Sequence, residues 1–286
     1  MWRRRAPSCS TGCGSGARLT DPVIIASATL LGAALGSFLN VCVTRMPAGD
    51  SVLHPRSHCP ACRATIRWRD NLPVLSWIFL RAKCRDCGGR ISLRYPAIEL
   101  AAAVAWGGMA WLYGISVTAL AGAVLFTLLL PIAVIDARHY IIPDALSLGG
   151  CAAGLALSVL PGSTRPLAAV AGALLGFALL GVVGWLGEKA FRKPALGGGD
   201  VKMMAMVGAF LGPAGALLTI FLGALAGSLV YGPVSLRTGK PVPFGTFLAL
   251  GAAISFLFGD ILFDGYLRAA AAEPLSALTH DLATAC

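Results

Sequence analysis

Eight apolar stretches, most of them long enough to cross a lipid bilayer, divide this chain and confine it to one class of fold. A spanning helix needs about 20 predominantly apolar residues. The stretches cover residues 23–44, 96–112, 115–135, 145–160, 167–187, 201–211, 214–235 and 244–263. The fourth and sixth are short, and the sixth meets the seventh at Gly212-Pro213. Hydrophobic residues make up 57% of the chain and charged residues 13%. A soluble domain carries about 25% charge, so lipid must cover part of this apolar surface. The expectation is an all-α polytopic membrane protein of about eight transmembrane helices. The first stretch exceeds the core of about 7–15 residues found in a cleaved leader and reads as a retained helix. Small residues let such helices approach closely. The pairs Gly172/Gly176 and Gly223/Gly227 have the spacing of packing faces.

Charge sets the orientation. The formal net charge is +10, but the bases sit between apolar runs, with no nucleic-acid reader fold around them. That pattern belongs to a lipid bilayer and argues against nucleic acid as a partner. Loop 45–95 carries ten arginines and lysines, from Arg45 to Arg94. If it is cytoplasmic, alternation through eight spans puts loops 136–144, 188–200 and 236–243 on the same side, each with its own bases. The opposite internal loops hold only Arg165, as the positive-inside rule expects. Arg3, Arg4 and Arg5 disagree, but they lie far from the first span.

Two constellations carry chemistry. Cys59-Pro-Ala-Cys62 and Cys84-Arg-Asp-Cys87 are separated by 21 residues. Paired CxxC knuckles at about this distance read as a four-thiolate site for structural zinc. The ion replaces the core that a 51-residue loop, 45–95, can barely build. The reducing cytoplasm disfavours disulfides. Cys42 and Cys151 lie in apolar segments and read as small core residues.

The second constellation is acidic. Asp136 ends an apolar run and Asp200 follows Gly197-Gly198-Gly199. The topology sets both at the same membrane depth, where ionisable groups are costly and functional by default. Two carboxylates brought together share a proton, so one can act as base while the other donates. The three glycines would admit a substrate backbone. Helix dipoles taken singly favour the proton on Asp136, at a C-terminal end, and the charge on Asp200, at an N-terminal one. Asp144 precedes the fourth stretch, where Asp is a good cap. Glu99 could pair with Arg94 or bind a substrate amine. Lys202 reads as a snorkelling base or as a partner for the dyad or for an acidic substrate group.

The residues resemble those of the bacterial type IV prepilin peptidase / N-methyltransferase family, a group of GxGD-type intramembrane aspartyl proteases. The likeness rests on Gly36-Ser-Phe-Leu-Asn40-Val41 with Arg45-Met46-Pro47, the paired CxxC loop, and Arg94-Tyr95-Pro96 through Glu99-Leu100. It continues through Ile135-Asp136 to Pro143-Asp144, Gly197-Gly198-Gly199-Asp200-Val-Lys202, and Pro243-Phe244-Gly245, all in order. Met203 and Met204 stand where an aliphatic pair is commoner.

The resemblance implies cleavage of prepilin or pseudopilin leaders on the cytoplasmic side of the bacterial inner membrane by Asp136 and Asp200. Gly197, Gly198, Gly199 and Lys202 are substrate-binding candidates. The cysteine loop resembles the bifunctional type, which methylates the new N-terminus with S-adenosylmethionine. No Rossmann fingerprint locates that donor, and Asn40 and Glu99 are its candidate contacts. The alternative is a proton- or cation-coupled transporter using the same aspartates. The expected division is a tail at 1–22, the first span at 23–44 and the zinc loop at 45–95, then a protease core at 96–263 and a tail at 264–286.

Overall fold

The computed structural model describes residues 21–192, 196–238 and 242–283. Arg3 to Arg5, Cys9, Cys13, Lys193, Lys240 and Cys286 lie outside these. Every regular element described is helical, apart from two isolated β-bridges in the cysteine loop. The helices are α1 (Pro22–Arg45), α2 (Leu75–Phe79), α3 (Arg94–Tyr113), α4 (Val117–His139), α5 (Asp144–Ser158), α6 (Pro166–Phe191), α7 (Gly198–Thr238) and α8 (Phe244–Ala283). Five are long and apolar enough to cross a membrane: α1, α4, α6, α7 and α8. Each of the eight apolar stretches lies largely in a helix, but two share one element. Residues 201–211 and 214–235 both belong to α7, which breaks its helical path at Gly212 (φ 72°, ψ −176°). A residue with a Cβ avoids that conformation. Past residue 263, α8 continues as helix to Ala283.

Two helices start where a capping side chain sets them. Asp21 Oδ1 accepts the Val23 N–H at 2.9 Å before Pro22 opens α1. Ser116 Oγ accepts the Ala119 N–H at 3.1 Å at the head of α4. Both satisfy amides that the first helical turn leaves unpaired. Burial of the apolar faces then assembles the bundle. Leu125, Ile132 and Ile135 of α4 meet Met203, Met204, Met206 and Val207 of α7 and Leu248 of α8 in one core, each below 2% exposure. Met203 and Met204 therefore fill core space directly beyond Asp200. Cys42 is buried as expected of a small core residue.

Glycines set the closest helix crossings. A Cβ on Gly36 of α1 would lie 2.6 Å from Glu99 Cα of α3, so these helices touch backbone to backbone. Gly172 and Gly176 of α6 pack on the α7 backbone at Gly208, Gly212 and Met204, and Gly223 of α7 packs on Leu248 of α8. These are the faces that the glycine spacing predicted. Large apolar residues point outward instead, among them Leu30, Leu167, Leu174 and Phe177. Water would penalise that surface and lipid does not. At the end of α6, Lys189 Nζ sits 4.1 Å from the Trp185 ring centroid, a pairing suited to the interface.

Candidate active site and metal centre

One end of the bundle gathers the acids. Asp136 lies one turn before the end of α4, which closes on Tyr140 in the left-handed conformation (φ 55°). Asp200 sits in the first turn of α7. Both carboxylates are buried, at 5% and 8% exposure. Three elements frame them. A Cβ on Gly245, in α8, would lie 3.1 Å from Asp136 Oδ2. Cβ atoms on Gly199 and Gly245 would come within 2.9 Å and 2.7 Å of Ile142, so that side chain wedges between the starts of α7 and α8. Nothing lies within 4 Å of the Cβ position of Gly198, two residues before Asp200, so the backbone is open there.

The two acids have different partners. Asp136 Oδ2 accepts the Thr246 N–H at 2.7 Å and the Thr246 hydroxyl at 3.0 Å. That amide is one of the unpaired donors in the first turn of α8. Asp200 Oδ1 is buried with no partner. Two donors on one carboxylate favour its ionised form, whereas an unpartnered buried oxygen suits a neutral acid. This reverses the expectation from single helix dipoles. Asp136 does sit near a helix C-terminus, but the positive N-terminal end of α8 faces it. Thr246 escaped the sequence reading. It directly follows Pro243-Phe244-Gly245, and a threonine in the first turn of a helix was the available signal.

Three neighbouring expectations change. Asp144 does not cap α5, because Pro143 holds the cap position and makes no side-chain bond there. Instead both Asp144 oxygens accept from Lys202 Nζ at 2.8 Å. Lys202 is thus paired with Asp144, and this ion pair ties α7 to α5. Glu99 reaches Val74 rather than Arg94. Its Oε2 accepts the Val74 N–H at 2.7 Å and so holds a valine at φ 61°. Asn40 Nδ2 donates to the carbonyl of Tyr95 at 3.0 Å.

The cysteine loop forms two matching knuckles. Cys59 N–H donates to the Ala64 carbonyl and Arg63 N–H to that of Cys59; Cys84 with Gly89, and Gly88 with Cys84, repeat the pattern. Arg63 (φ 58°) and Gly88 (φ 69°) occupy equivalent turns. The sulfurs of Cys59, Cys62, Cys84 and Cys87 all lie within 4.8 Å of one another, and those of Cys59 and Cys87 are 3.9 Å apart. Tetrahedral zinc with Zn–S bonds of about 2.3 Å requires sulfurs about 3.8 Å apart. The donor set and spacing therefore fit. Arg85 clamps Asp70 through Nε and Nη2, at 2.9 Å and 2.6 Å, joining the second knuckle to the segment between the two.

Two family descriptions match the chain: Bacterial Peptidase A24 N-terminal domain over residues 30–113 and Type IV leader peptidase family over residues 123–232. Among curated proteins, a prepilin leader peptidase/N-methyltransferase of Myxococcus xanthus is 38% identical over 75% of this chain and 64% of its own length. One of Stutzerimonas stutzeri is 35% identical over 84% and 93%, and one of Bacillus subtilis is 32% identical over 84% and 97%. No solved structure matches. These relatives lend the transporter alternative no support.

Proposed function

This chain belongs to the type IV leader peptidase family, and from that premise we propose that it cleaves the leaders of prepilins or pseudopilins and methylates the amine so exposed. Asp136 and Asp200 carry the hydrolysis in this reading. The observation that supports it is the pair of buried carboxylates at one end of the bundle, one with two donors on its Oδ2 and the other with an unpartnered oxygen. Ionised Asp136 takes a proton from water as the oxygen attacks the scissile carbonyl carbon. Asp200 gives its proton to the carbonyl oxygen. When the C–N bond breaks, the proton held by Asp136 passes to the leaving amine and one hydroxyl of the diol returns its proton to Asp200, which restores the pair. The space beside Gly198 receives the substrate backbone.

The active end faces the cytoplasm of the bacterial inner membrane. Arg45, Arg138 and Lys189 stand in the last turns of α1, α4 and α6, in line with the positive-inside rule. Cys59, Cys62, Cys84 and Cys87 would hold a structural zinc ion, which would join the two knuckles of the loop. S-adenosylmethionine would supply the methyl group to the new amine and leave as S-adenosylhomocysteine, with the amine's surplus proton going to water.

The test is to incubate purified full-length chain with a prepilin and S-adenosylmethionine and weigh the products. Wild type should release the leader and add 14 mass units, the mass of one CH2, to the mature N-terminus. Asp136→Asn and Asp200→Asn should abolish cleavage while the protein stays folded. Leader release by a variant lacking both carboxylates would end the proteolytic reading.

A further inference from the structure

A cavity of about 730 Å³ lies between the cysteine loop and the ends of α1 and α3, apart from the carboxylate pair. Its volume falls within the range of about 300–1,000 Å³ typical of small-molecule sites. Asn40, Arg94, Glu99, Trp77 and Arg138 contribute to its wall. Among the described side chains, only three buried polar atoms lack a partner: Asp200 Oδ1, Asn40 Oδ1 and Arg94 Nε. The last two belong to residues of this wall. Buried polar atoms are nearly always paired, so an acceptor and a donor left over at one cavity point to a polar ligand.

The surrounding groups narrow its chemistry. Glu99 is 9% exposed and brings a carboxylate to the wall, which suits a cationic centre. Arg94 offers its unpartnered Nε to an anion. Trp77 is held in place by its indole N–H, which donates to the Ile91 carbonyl at 3.2 Å, and its ring offers a stacking face for a heteroaromatic base. Arg138 lies two residues beyond Asp136 on α4 and also reaches this wall, so the cavity adjoins the helix end where cleavage would expose the new amine. A ligand with a cation, a carboxylate and a flat base meets all three requirements.

Resting on the methylation proposed above, we infer that this cavity is the seat of the methyl donor, S-adenosylmethionine. Glu99 faces its sulfonium, Arg94 its carboxylate and Trp77 its adenine. The held backbone at Val74 then has a purpose: the Glu99 bond to that amide fixes α2, and with it Trp77, over the cavity.

Equilibrium dialysis of tritiated S-adenosylmethionine and S-adenosylhomocysteine against the purified full chain tests this. Wild type should bind both at one saturable site. Arg94→Met should weaken both by about tenfold or more, since both carry the carboxylate. Glu99→Gln keeps an acceptor for Val74 but loses the charge. It should weaken the sulfonium ligand by about tenfold and barely change its neutral product. Both variants should still release the leader, which shows that they fold.

Variants that cleave normally and bind both ligands as wild type does would overturn the location while leaving methylation standing. Failure of wild type to bind either ligand would overturn methylation and the cavity together. If a variant does not fold, photo-crosslinking of the labelled donor to wild type decides: label on peptides containing Asn40, Trp77, Arg94 or Glu99 supports the site, and label elsewhere refutes it.

Discussion

Thr246→Val isolates the one side-chain hydrogen bond that separates the two acids. Valine keeps the branched shape and the backbone N–H, which still reaches Asp136 Oδ2 at 2.7 Å, and removes only the hydroxyl at 3.0 Å. A hydrogen bond to a charged group contributes about 1.5–3 kcal/mol. The Thr246 hydroxyl also lies 3.1 Å from the Ala133 carbonyl, and its single proton serves one acceptor at a time. The low end of that range therefore applies, a factor of about ten. Relative to the arrangement with the proton on Asp136, the active arrangement loses that much stabilisation. Single-turnover leader cleavage should slow by about tenfold with substrate affinity unchanged. Thr246→Ser restores the donor and should recover most of the rate. A valine variant as fast as wild type, or a serine variant as slow as valine, would refute the claim that this hydroxyl sets the charge on Asp136.

Chelating the metal should open the cysteine loop, because four ligands at this spacing replace a core; limited proteolysis should then cut within residues 50–92 and zinc should restore protection. Gly208→Leu should lower the thermal midpoint by more than its added methylenes alone explain, since its Cβ would overlap the Gly172 backbone and overpacking costs about 1–3 kcal/mol. Asp144→Asn should cost less than about 1 kcal/mol in thermal unfolding, because the Lys202 pair is 37% and 59% exposed and water screens it; a larger loss would mean the pair is shielded. Arg85 holds the Asp70 carboxyl below its usual range. The bond therefore stabilises the loop above the ordinary carboxylate range and is lost as pH falls through Asp70's own lowered value. Asp70→Asn should abolish that acid limb in loop proteolysis.

Much of this protein is written locally. Continuous apolar runs force helices, because a backbone in lipid must bond within itself; Pro22, Ser116 and the glycine at 212 mark where helices begin or bend. The CxxC spacings announce a metal site because each knuckle closes within six residues, from Cys59 to Ala64 and from Cys84 to Gly89. Asp136 and Asp200 stood out because charge is rare in such segments. What the sequence left open depended on partners far along the chain. Thr246 lies 110 residues from Asp136, and Lys202 lies 58 from Asp144. Glu99 meets Val74 across the loop, 25 residues away. Local rules gave Asp144 to a cap and the dyad's proton to Asp136. Tertiary packing moved the one to Lys202 and turned the N-terminus of α8 onto the other. Periodicity and capping describe a helix alone, whereas the charge state of a buried group is decided by whichever donors the fold brings within about 3 Å of it.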